Sequence, residues 1–426
     1  MKKLVLLFVF IQGIVNAQTL YFPPITGNEW ETMSPESLNW CPDSLQALID
    51  YVGQNNSKAF IILKDGKIVT ENYYNGFLAT DNWFWASAGK TVTAFLVGMA
   101  QQEGLLDIHQ PSSLYQGEGW TVCTPEQEEA ITVWHQLTMT SGLLTDGVNL
   151  DCTDDTCLQY FTEPGSRWYY HNSPYTRLDK VIEGASGITF NQFYNTRLKN
   201  RIGMNGLYLP SGYNNVNFST PRSFARFGLL MLNRGIWAND TLMEDQSYFD
   251  AMVNTSQDLN KSYGYLTWLN GKESYQLPGI TVNIPGYTLP DAPSDLFAAL
   301  GKDGQYNLII PSQNMVVIRM GEDADGITGL VPTIMANEIM RRLGSMDCNI
   351  TSTVQFQSWE PQVIIHQHQI EVLNGSLEGL ELYDLQGRRI QDSSNNTIYT
   401  SGIQSGIYIL SMRSNHGTKH QKVFLQ

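Results

Sequence analysis

Basic residues are scarce in this chain. Lysine and arginine total 26 against 41 aspartates and glutamates, a formal charge of −15 over 426 residues. That balance argues against a nucleic-acid partner, because phosphate contacts need a basic surface. Long apolar runs are missing too. The opening MKKLVLLFVFIQGIVNAQ holds one that is too short to span a bilayer. With two lysines before it and Val15-Asn16-Ala17 after it, this reads as a secretory signal over residues 1–17, cut after Ala17. No cysteine follows directly, so no lipid anchor is expected, and no later segment reads as transmembrane. Histidine and cysteine number seven and five. Neither falls at metal-ligand spacing, so no metal and no cofactor are expected. No histidine stands between Asn172 and Ile365. An α/β-hydrolase needs one after its serine and acid, which counts against that fold although Ala86-Ser87-Ala88-Gly89 is half a nucleophile elbow.

Five cysteines in an exported chain allow disulfides and leave at least one unpaired. Cys41 precedes the first predicted helix and Cys348 follows the last helix of the main domain. Those two helices should pack antiparallel on one sheet face, since each flanks a neighbouring strand. A Cys41–Cys348 disulfide is therefore expected. Cys123, Cys152 and Cys157 are left without an assigned pair.

What is present reads as a large α+β domain and a small β module. DSLQALIDYV predicts a helix capped by Asp43 or Ser44. AFIILKDGKIVTENYY predicts a hairpin turning at Asp65-Gly66. A nearly all-apolar helix follows from about Ser87, the sign of a buried helix. Helices and loops are expected over roughly 126–260, then strands in YGYLTWLN, LFAALG and YNLIIPSQNMVVIRMG, then a closing helix. Both ends of the domain would complete one antiparallel sheet flanked by helices, with a helical subdomain inserted. The expected boundaries are 18–348 for this domain, 349–362 for a polar linker and 363–426 for a small C-terminal β-sandwich.

The chemistry sits in two clusters. Ser87 and Lys90 are i and i+3, so they share a helix face. At a helix start the serine has free N–H groups and the positive dipole end beside it. It could be an acyl nucleophile, with the lysine taking or relaying a proton. The bland alternative is a helix cap beside a surface lysine. The second cluster is PGSRWYYHNSPY, with Tyr170, His171 and Asn172 as a YxN triplet. A phenol next to an ammonium can act as a base. Otherwise Tyr170 is a core residue with one hydrogen bond.

Five blocks in order carry a resemblance over about residues 40–345: SAGK, ITVWHQLTMTSGL, YHN, STPRSFARFGLLMLNRG and GQYNLIIPSQNMVVIRMG. Together they resemble the serine β-lactamase and penicillin-binding-protein-like hydrolases, of the class C type. The resemblance implies Ser87 as nucleophile, Lys90 as activator, Tyr170 as base and Asn172 as a substrate-orienting amide. The family's third motif, K-T-G, matches literally only at Lys302-Asp303-Gly304. Setting Ala299-Leu300-Gly301 on it instead puts Gly301 at the glycine and the N–H of Lys302 in the oxyanion hole. That form looks like the esterase and nylon-oligomer-hydrolase branch and lacks the lysine that holds a β-lactam carboxylate.

The resemblance thus implies a secreted hydrolase of an ester or amide, acting on a small molecule or short peptide. The alternatives are a β-lactamase, a D-amino-acid peptidase or a catalytically silent binding protein. The tail, with LELYDLQGRRI, SGIQSGIYIL and HQKVFLQ, resembles the C-terminal sorting domain of the type IX secretion system. Asp384, Gly387, Arg388, Gly406, Tyr408 and Lys422 fit that pattern, and Ile403 replaces a leucine. This implies the secretion machinery as partner, with passage through the periplasm to the cell surface or beyond.

Overall fold

The computed structural model describes residues 20–324, 333–348, 361–366, 368–373, 377–384, 388–414 and 417–425. The signal segment 1–17, the linker up to residue 360 and Gly387 lie outside the described residues. The α+β architecture expected from the sequence is the one found. Six antiparallel strands form the main sheet: β1 (Ser57–Lys64), β2 (Lys67–Tyr73), β3 (Trp268–Leu269), β4 (Phe297–Gly301), β5 (Gln305–Ile310) and β6 (Met315–Gly321), in the order β2-β1-β6-β5-β4-β3. The β1–β2 hairpin turns at Asp65 and Gly66, both at positive φ, as a tight hairpin requires.

Helix α1 (Pro42–Gln54) buries Leu45, Leu48 and Val52 and packs on β1 and on α4 (Ile334–Leu343). It begins earlier than the expected Asp43 or Ser44 cap. Pro42 stands at the first position, where its missing N–H costs nothing. Cys41 precedes it, joined by a disulfide to Cys348, with the two Cα atoms 4.8 Å apart. A second disulfide joins Cys152 to Cys157, and Cys123 is a free, half-buried thiol.

Helix α2 (Gly89–Gln102) has every residue from Gly89 to Ala100 buried. Helix α3 (Pro221–Leu232) lies on β1, β5 and β6, with Gly228 facing Asn307 and Val316. The inserted block contains two strand pairs that were not expected: the short Ile236–Trp237 and Asp240–Thr241 pair, and a hairpin of Leu207–Ser211 and Asn214–Ser219 whose second strand pairs with Trp83–Phe84. The hairpin's text is polar and asparagine-rich, so it carries no strong alternation. Pairing to the segment before Ser87 makes it a strand.

The C-terminal module has its own core of Ile370, Val372, Leu380, Leu382, Ile398, Leu410, Met412, Val423 and Leu425. Strands β7 (Gln362–His366), β8 (Gln369–Leu373), β9 (Gly379–Tyr383), β10 (Arg389–Ser393), β11 (Thr397–Tyr399), β12 (Gly406–Ser414) and β13 (Gly417–Leu425) form two sheets, β7-β8-β11 and β10-β9-β12-β13. Both motif ends have a structural reason. Asp384 accepts from the N–H and Nε of Arg388 at 2.8 and 3.1 Å across the β9–β10 turn. Tyr408 Oη donates to the Gln404 carbonyl at 2.7 Å.

Candidate active site

Ser87 does not start α2. It lies in a 3-10 turn, Ala86–Ala88, that leads into the helix. The turn is entered through Ala86 at φ 48°, a left-handed conformation rare for a residue with a Cβ. Trp85 holds the entry. It is fully buried, its N–H donates to Asn217 O at 2.8 Å, and its indole donates to Ser219 Oγ at 2.8 Å. Past the turn, Tyr208 Oη donates to Gly89 O and Thr91 Oγ1 to Leu266 O, each at 3.0 Å. The strained turn is therefore clamped on both sides, and Ser87 remains half-exposed.

Lys90 is 4 % exposed, and its Nζ donates to Ser87 Oγ at 2.9 Å. This is not the surface lysine of the bland alternative. The ammonium sits over the rings of Tyr175 and Tyr170, 4.2 and 4.9 Å from their centroids. Aromatic faces replace only part of the lost hydration. Burial accordingly lowers its pKa to about 7, with Asp151 pulling it back up. Near neutral pH much of Lys90 is a free amine, able to accept a proton.

Tyr170 is buried against Trp268, stacked at 5.9 Å, with Tyr263 and Trp168 completing the aromatic wall. Burial pushes its phenol well above the ordinary value, and proximity to Ser87 offsets this only slightly. The two hydroxyls do not complete a hydrogen bond, and Tyr170 Oη is left without a partner. A resting phenolate base is therefore not what the electrostatics favour. A neutral, donor-ready hydroxyl is. Asn172 Nδ2 donates to Asp151 Oδ1 at 2.7 Å, and its buried Oδ1 has no partner.

Gly301 ends β4. A Cβ built there would stand 2.4 Å from Trp85 O and 3.0 Å from the Ala88 nitrogen, so the strand end presses on the serine turn. Lys302, Asp303 and Gly304 form the turn after it, with the Lys302 side chain exposed. The literal K-D-G text is thus off the strand, and Gly301 is on it. Ala299 and Leu300 precede it, both buried.

Sequence reasoning missed three residues here. Tyr175 forms part of the lysine's box. Asp151 holds Asn172. Arg319, fully buried, fastens the turn after Gly301: it donates to Asp303 O and Gly304 O at 2.6 and 2.9 Å, to Ser57 Oγ at 2.9 Å, and to Asn55 O and Glu322 O at 2.8 Å each. A lone arginine inside the apolar VVIRMG was the available signal. Among the described residues, no group of three or more histidines, cysteines or acids is placed to hold a metal, and no helix is long and apolar enough to cross a membrane.

Residues 46–327 match the β-lactamase family model, and residues 363–426 match that of the secretion system C-terminal sorting domain. Similar solved structures include a Bacillus anthracis protein assigned as a 6-aminohexanoate-dimer hydrolase, 18% identical with TM-score 0.57, covering 75% of this chain and 89% of that one. A penicillin-binding protein homologue from Caulobacter crescentus is 14% identical with TM-score 0.55, covering 72% and 98%. A Mycobacterium bovis β-lactamase is 16% identical with TM-score 0.52, covering 71% and 98%. At these identities the likeness concerns the fold. No curated protein matches the chain.

Proposed function

The chain belongs to the β-lactamase family and ends in a type IX sorting domain that directs it to the cell surface or beyond, and on that premise we propose that it is a secreted serine hydrolase working through an acyl-enzyme on Ser87. The observation that carries this reading is the 2.9 Å hydrogen bond between Ser87 and a buried Lys90 whose pKa is lowered to about 7. Neutral Lys90 takes the hydroxyl proton as Ser87 Oγ attacks the substrate carbonyl. The N–H groups of Ser87 and Lys302 bind the oxyanion. Tyr170 gives its proton to the leaving oxygen or nitrogen and is reprotonated from Lys90. Water then cleaves the acyl-enzyme with the roles reversed, releasing the acid.

The substrate proposed is an ester or amide of a small molecule or short peptide. The strand that would offer a cation to a β-lactam carboxylate instead carries buried Ala299 and Leu300 before Gly301. Lactam or D-amino-acid peptide hydrolysis is the second reading. The exposed Lys302 ammonium, one residue past Gly301, is what favours it.

The test is intact-mass spectrometry with a fluorophosphonate. A single adduct is expected, absent in Ser87→Ala. Labelling that persists in that variant would remove Ser87 from the mechanism.

A further inference from the structure

The loop between the two disulfide-linked cysteines 152 and 157 lies beside the catalytic residues, and three contacts tie its leading edge to them. Asn172 donates to Asp151 Oδ1 at 2.7 Å. The N–H and hydroxyl of Ser173 donate to Leu150 O at 2.9 and 2.7 Å. Asp151 is itself fixed from behind, its N–H donating to Asn149 Oδ1 at 3.0 Å. Cys152 follows it directly, is 2% exposed, and closes a bridge only five residues long. The far side of the loop is tied as well, by Tyr213 Oη donating to Asp154 Oδ2 at 3.2 Å.

We propose that Asp151, locked by the Cys152–Cys157 bridge and hydrogen-bonded to Asn172, is a positioning residue of the catalytic site that orients the Asn172 amide and, from that place, adds a negative charge that acts on Lys90. This rests on the hydrolase reading above. An amide side chain has two interchangeable ends. Holding Nδ2 on a carboxylate fixes which end is which and turns the buried, unpartnered Oδ1 away from Asp151. That oxygen is then an acceptor available to a donor inside the site.

The charge has a separate effect. The groups around Lys90 are the Ser87 hydroxyl and the rings of Tyr170 and Tyr175, all neutral, and Asp151 is the carboxylate whose field reaches it. Asp151 also acts on His171, against Arg167; burial and that arginine keep His171 neutral, with a pKa of about 4. A carboxylate there keeps Lys90 protonated to higher pH than burial alone would allow. The bridge sets the distance at which both effects act.

Two substitutions separate the two roles. Asp151→Asn keeps an acceptor for Asn172 and removes the charge, while Asp151→Ala removes both. Lys90 is followed by the 13Cε NMR titration of labelled lysine, assigned from the signal lost in Lys90→Met. Its midpoint should fall in both Asp151 variants. The acidic limb of the fluorophosphonate labelling rate should move to lower pH with it. The maximal rate should fall about 10–100-fold in Asp151→Ala, the scale of a misplaced catalytic group, and be largely rescued in Asp151→Asn. Cys152→Ser/Cys157→Ser, with Cys41–Cys348 intact, should lower the maximal rate in the same direction as Asp151→Ala.

An unmoved Lys90 midpoint in a folded Asp151→Asn protein overturns the electrostatic role, and an unchanged maximal rate in Asp151→Ala overturns the orienting role. Absence of Ser87 labelling in the unsubstituted protein fails the hydrolase reading instead, and the NMR titration still decides the charge effect.

Discussion

Gly301 and Trp85 meet backbone to backbone: a methyl group on the first would stand 2.4 Å from the carbonyl oxygen of the second. Trp85 is locked by Phe224, its ring centroid 4.3 Å away, and by two hydrogen bonds, so it has nowhere to retreat. Gly301→Ala is therefore expected to push β4 off the serine turn. Ester turnover should drop at least about 100-fold, the scale for a lost oxyanion donor. Circular dichroism should show a folded protein. Wild-type turnover in that variant would place the oxyanion hole elsewhere.

The lowered pKa of Lys90 sets the pH dependence. Lys90 must be neutral to accept the serine proton, and its pKa is about 7. kcat/KM for a short ester should rise as pH increases through about 7 and then level. Lys90→Ala and Tyr170→Phe should each lower turnover by about 10²–10⁴-fold. An activity that is flat from pH 5 to 8 contradicts Lys90 as the base.

Short acyl esters should be turned over with higher catalytic efficiency than nitrocefin. The comparison is a panel of p-nitrophenyl esters against the chromogenic lactam on one preparation. The reverse ranking would mean that Lys302 holds the carboxylate and that the lactam reading is right.

The residues of the candidate site were legible because they are local in sequence. Ser87 and Lys90 are one helical turn apart, and Tyr170 and Asn172 bracket a single residue. The α+β outline was legible from the Asp65-Gly66 turn and the apolar runs of β5 and β6. Other features depended on contacts distant in sequence. Asp151 stands in a loop with Asp154 and Asp155, and nothing in NLDCTDDTC marks which acid turns inward. The role of Arg319 depends on a turn fifteen residues earlier and on strand β1. The Leu207–Ser219 hairpin exists because Trp83–Phe84 pairs with it. The charge beside Tyr170 suggests a base, while the depth of its burial, which favours the neutral phenol, is a tertiary property.

Cys41 and Cys348 should be recovered as one bridged peptide pair in tryptic mapping without reductant. Cys41→Ser should destabilise the domain by about 5–6 kcal/mol in the chain-entropy model, because the closed loop spans 307 residues. Two free thiols in the mapped protein would end the assignment.

Truncation after Ser352 should leave hydrolysis of a soluble ester unchanged, since the C-terminal module has a separate core and supplies none of the site residues. In its native host the truncated protein should stay in the periplasm. Loss of catalysis in a folded truncation would make the module part of the substrate site.

The main sheet begins with β1 and is closed by β6, and the two lie side by side through seven paired positions. Ser87 is made early, but the Gly301 turn that faces it, and Arg319 that fastens this turn, come more than two hundred residues later. Pairing so distant in sequence is slow to form. A nascent or half-translocated chain therefore carries Ser87 without the proposed oxyanion cradle. On the proposed mechanism, hydrolysis can start only when the last strand of the domain clasps the first, so its onset is timed by completion of the whole domain.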